Sequence, residues 1–97
     1  MSDFSAAGGL EPFEWNHDEA IRYEVAIELI GEATACYTAL IDRARTAGDE
    51  GGAERLRAER SRCAADRRRL SPTDHDDIAR TSHAYAQLIR ELRERLG

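Results

Sequence analysis

The chain has 97 residues, of which 41% are apolar and 34% charged, with a formal net charge of −5. A chain of that length makes one domain that buries about two-thirds of its unfolded surface, and no apolar run approaches the ~20 residues of a membrane-spanning helix. The acidic balance argues against a duplex-binding role, and two cysteines and three scattered histidines lack the spacing of a metal site, so no cofactor is expected.

Residues 1–12 read as a flexible leader rich in small residues ahead of a single domain over 13–97. The opening MSDFS carries an acid where a signal peptide has basic residues, which predicts a cytoplasmic protein. Phe13 and Trp15 then precede Asn16 and Glu19, the asparagine form of a capping box, which predicts a helix from His17. Ala26, Ile30, Ala33, Tyr37, Leu40 and Ala44 recur at spacings of three and four, widened by Ile27 and Ile41, and the GDEGG at 48–52 ends the pattern near Ala47.

A second helix over about 53–70 places Ala53, Leu56, Cys63 and Leu70 on a seven-residue repeat and fills most other positions with arginine. In SPTD, at 71–74, Ser71 is the expected N-cap with Pro72 at the first helical position. The helix that follows faces Ile78, Tyr85, Leu88, Ile89, Leu92 and Leu96 inward, and the acids Asp74, Asp76 and Asp77 complement its dipole. No stretch alternates with a strand's period. The expected fold is all-α, a three-helix antiparallel bundle with a long first helix.

At 1.5 Å per residue the first helix would measure roughly 46 Å and the second only roughly 27 Å, so residues 17–28 should project past the bundle. That stretch carries Ile21, Tyr23, Val25, Ala26 and Ile27, an apolar surface that needs covering, either by Phe13 and Trp15 folding back on Ile21 and Val25 or by a partner protein. Glu24, Glu28 and Glu32 form an acidic stripe beside it, and like charges four apart oppose the helix slightly. Residues 17–47 hold six acids against three arginines, and residues 53–70 hold seven arginines against three acids. The stripe therefore faces the arginines of the second helix or water, except where Asp18 and Glu24 lie beyond that helix's reach.

An enzyme is not expected: no nucleophile is paired with a base, and GDEGG lacks the lysine of a phosphate-binding loop. The run YEVAIELIGEATACYTALIDRA, a glycine-bearing turn, a charged second helix, LSPTDHDDI and YAQLIRELR together resemble the epsilon-type antitoxins of epsilon/zeta toxin–antitoxin modules, in the form paired with zeta-like toxins in actinobacteria. The likeness spans residues 13–95 and rests on helix order and apolar positions. It implies a protein partner, a P-loop kinase that phosphorylates UDP-N-acetylglucosamine, whose nucleotide site the antitoxin's first helix occludes. A carboxylate on an intruding helix can compete for a nest built to hold phosphate. The resemblance thus points to Asp18, Glu24 and Glu28 as phosphate mimics and to Phe13, Trp15, Ile21 and Tyr23 as apolar contacts, with no direct nucleic-acid or membrane partner. The longer leader and the arginine-dense second helix depart from the family pattern. The alternative is a small helical adaptor, or a homodimer that buries two first helices against each other.

Overall fold

The computed structural model describes the backbone of residues 6–97 and the side chains of residues 17–97. Among the described residues three helices make up the fold: α1 (Ala6–Thr46), α2 (Glu50–Arg69) and α3 (His75–Leu96), and α1 packs against both of the others. The chain runs up α1, down α2 and up again along α3. The α2 and α3 backbones approach α1 and not each other. The bundle expected from the periodicity is the one observed.

Its core is the apolar stripe of α1 clasped from two sides. Ala26, Ile30, Ala33, Tyr37, Leu40 and Ile41 are buried against Ala53, Leu56, Cys63 and Leu70 from the α2 side and Ile78, Tyr85, Ile89 and Leu92 from α3. Ile27, Ala44, Leu88 and Leu96 pack partly buried at its edge. Thr81 is also buried, at 6% exposure, a polar residue that the apolar pattern does not reveal.

The helix termini are set by local chemistry. α1 stops where Gly48 takes a φ of 78°: its N–H donates to Arg45 O at 3.0 Å and the Asp49 N–H to Ala44 O at 2.8 Å. That pair of bonds is a Schellman ending, which favours glycine because an L side chain is strained at positive φ. Asp49 then caps α2, accepting from the Gly52 N–H at 2.8 Å. Its carboxylate folds so closely over Gly52 that a Cβ there would collide with it. α2 therefore begins at Glu50 and not near Ala53, and GDEGG is half turn and half helix.

Two other expected starts move. α1 begins at Ala6, so Asn16 lies inside a helix and not at its start, and residues 6–12 of the expected leader are helical. Residues 1–5 lie outside the described residues. At the other junction, Ser71 O accepts from the Asp74 N–H at 3.2 Å, closing SPTD into a turn. Asp74 is the N-cap of α3, its carboxylate accepting from the Asp77 N–H at 3.1 Å.

That turn shortens the overhang. Leu70 leaves α2 with extended backbone, so the chain keeps descending beside α1 before α3 begins. His75 Nε2 reaches Glu19 Oε2 at 3.1 Å, and Ala26 is wholly buried. Residues 19–28 are thus flanked by α3 and do not project as a bare overhang. The portion of α1 that passes the bundle is the length before residue 19, within a molecule 69 Å long.

Candidate functional site

Sequence position decides which face of α1 each candidate occupies, since residues three and four apart share a face. Ala26, Ile30, Ala33 and Tyr37 point into the bundle, so residues on the opposite side are presented outward. Ile21 and Val25 are there, 44% and 43% exposed, the large hydrophobic side chains left uncovered among the described residues. They form one wall of a groove of about 420 Å³ whose other wall is Ile78, Ala79 and Ser82 on α3, with Glu19, Arg22 and His75 at its rim. The groove exists because α3 starts level with the second quarter of α1. No local pattern announces the pairing of Glu19 with His75, which stand far apart in the chain.

Beside this groove, Asp18, Glu24 and Glu28 are exposed, and Glu24 and Glu28 have no hydrogen-bond or ion-pair partner among the described residues. Glu32, the next member of the stripe, pairs with Arg93 of α3. Of the two expected arrangements, the arginines of α2 or water, the stripe takes water at Glu24 and Glu28, and at Glu32 it meets α3 instead. Those arginines are used locally or outward: Arg57 pairs with Glu54 at 2.8 Å, Arg69 with Asp77 at 2.6 Å and Asp66 at 3.3 Å, and Arg60 donates to Thr38 Oγ1 at 3.0 Å. The reason is rotational. On α1, Glu24 and Glu28 lie on the solvent side of the helix, away from the buried Ala26–Ile30–Ala33 stripe and outside the part of α1 that α2 covers.

Of the apolar candidates, Ile21 is on the open face, whereas Tyr23 is half-buried and packs against the core. The side chains of Phe13 and Trp15 lie outside the described residues. The backbone around them continues α1 axially, away from Ile21 and Val25, so the chain does not turn back over the groove there.

A second polar cluster joins the two outer helices. The Tyr85 hydroxyl donates to Asp66 Oδ2 at 2.6 Å, and Asp66 and Asp77 are both bridged by Arg69, whose guanidinium these contacts hold more firmly protonated. Burial, and then the hydrogen bond to Asp66, push the Tyr85 phenol up. Tyr37 behaves alike: burial first and a hydrogen bond to Glu59 second push it up to about 12. The Tyr85 O–H, held neutral against the Asp66 carboxylate, is a structural arrangement that fastens α2 to α3.

Among the described residues no group of three or more histidine, cysteine or acidic side chains is placed to hold a metal ion, and no helix is long and apolar enough to cross a membrane. Compared with protein-family models, with curated proteins and with solved structures, the chain matches none.

Proposed function

We propose that this chain is a protein-binding module that neutralises a zeta-like P-loop kinase, with α1 as the element that enters the toxin's nucleotide site. The supporting observation is the juxtaposition of exposed Ile21 and Val25 with Glu24 and Glu28, acids left without a partner on the same length of helix. An apolar anchor with a charged rim is how protein interfaces gain both affinity and register. The acids supply what a phosphate nest recognises, negative charge at backbone N–H groups. α1 also continues past the bundle, which gives it the reach to enter a cleft. The resemblance of the helix order to epsilon-type antitoxins supplies the identity of the partner, and the cytoplasm is where such a kinase would be met.

Co-expression with a zeta-like kinase encoded beside this chain tests the pairing. Growth should be restored and the two proteins should purify together; a kinase that stays toxic and unbound removes the reading. The double change Ile21→Asp with Val25→Asp should weaken capture by on the order of a hundredfold, the loss of a hot-spot pair, while leaving the thermal midpoint nearly unchanged because both residues are already half-exposed. Glu24→Arg and Glu28→Arg, made singly, separate mimicry from simple docking. If both variants inhibit phosphotransfer as the parent does, neither carboxylate enters the nucleotide site and the pairing stands on the apolar contact alone.

A further inference from the structure

A second groove lies between α1 and α2, on the side of the molecule away from α3. It has a volume of about 380 Å³, and its polar walls are Arg60 and Arg67 on α2, with Gly31 and Thr34 on α1. At Gly31 the α1 backbone is bare: a Cβ there would meet nothing within 4 Å. Arg60 is held level with Thr38 by its bond to that hydroxyl, and Arg67, lying beside Ile30 and Gly31, has no ion-pair partner among the described residues. The groove presents two cations over a low, uncharged floor, and Glu24 and Glu28, seven and three residues before Gly31 and so on its face of α1, are exposed and equally without partners among the described residues.

We propose that two copies of this chain associate antiparallel across Gly31, each setting Glu24 and Glu28 into the α1–α2 groove of the other, against Arg60 and Arg67. The register follows from the helix itself. Glu24 is seven residues before Gly31, and Thr38 is seven after it. About a two-fold axis at Gly31, Glu24 of one copy therefore arrives at the level of Thr38 in the other, where Arg60 is held. Glu28, three residues before the axis, arrives at the level of Thr34, which lines the groove between Arg60 and Arg67. A two-fold interface uses the same patch twice, so every such pair is formed twice. Gly31 at the axis lets the two backbones approach closely enough for arginine and glutamate side chains to meet. The proposal stands on the chain's own residues and does not depend on the kinase reading.

Sedimentation of the isolated full-length chain over a range of concentrations tests it. A concentration-dependent dimer is expected at low salt, weakened on the order of tenfold or more in half-molar salt because its contacts are exposed ion pairs. Two charge-reversed chains, Glu24→Arg with Glu28→Arg and Arg60→Glu with Arg67→Glu, should each be monomeric and should form a heterodimer when mixed. Gly31→Gln gives an independent check. It improves helix propensity and so should raise the monomer's thermal midpoint, yet it fills the axis and should abolish the dimer. A chain that is monomeric at all concentrations overturns the proposal, as does a dimer that survives the charge reversals, a mixture that fails to pair, or a dimer in which Gly31→Gln is tolerated. A monomer would leave the groove to an acidic partner of another kind.

Discussion

Tyr85 is the residue on which the junction of the two outer helices turns. Its ring is buried while its hydroxyl donates to Asp66, itself bridged to Asp77 through Arg69. Because α2 and α3 do not pack backbone to backbone, side chains carry the connection between them, these and the Arg95–Glu59 pair at 3.8 Å. Tyr85→Phe keeps the packing and removes only the donor, so at neutral pH it should lower unfolding stability by about 1 kcal/mol. The pH dependence distinguishes this from a packing loss. A phenol ionises near 10 in the unfolded chain, and burial beside a carboxylate pushes the folded values up, for Tyr37 to about 12. The tyrosines' contribution is thus fully present below about pH 10 and is lost as pH rises through the folded values. Urea unfolding at pH 7, 9 and 11 should show the parent's stability falling above pH 10 and the Tyr85→Phe variant falling less steeply. Parallel slopes would mean that neither burial nor the Asp66 carboxylate holds the Tyr85 phenol neutral in the fold.

At the scale of the helices, the parts legible in the sequence are those governed by periodicity. Every residue expected to face inward from Ala26 to Leu96 is buried or packed at the core's edge, because a single amphipathic stripe has only one way to hide. The starts were less legible. Asn16 and Glu19 match a capping box, but capping is local, whereas an established helix extends backward at the cost of one residue's ordering per hydrogen bond, without a new nucleus. Glycines at 8 and 9 and Pro12 oppose that extension and make the pattern read as a leader. At SPTD the competition went the other way. Ser71 and Asp74 both suit an N-cap, and the turn closed by Ser71 hands the role to Asp74. Asp74→Ala should therefore lower stability by about 1 kcal/mol, and Ser71→Ala by only a few tenths. Thermal melts of the two variants check this, and the reverse ranking would restore Ser71 as the cap.

For the whole molecule, the exposed apolar and acidic residues of α1 were visible in the sequence, but the surface they form was not. Ile21 and Val25 face Ile78 and Ala79 only because the Leu70–Asp74 connection carries α3 down past the end of α2. The acids miss the arginines of α2 only because of where α1 is rotated, which total charge cannot convey. That rotation has a consequence when the proposed kinase partner and the proposed second copy are considered together. Glu24 and Glu28 can be held by Arg60 and Arg67 of another copy or presented to a kinase, and the same carboxylates cannot serve both at once. A dimer bound this way keeps the acids covered until a partner with a stronger claim displaces it, and the two equilibria are linked by mass action. Titrating the kinase into this chain labelled for energy transfer between copies should abolish the signal as the complex forms. The Arg60→Glu with Arg67→Glu variant, monomeric from the start, should bind the kinase more tightly by the factor that dimer dissociation costs the parent. Energy transfer that persists at saturating kinase would separate the two surfaces and assign kinase contact to Asp18 and the Ile21–Val25 groove, away from the glutamates.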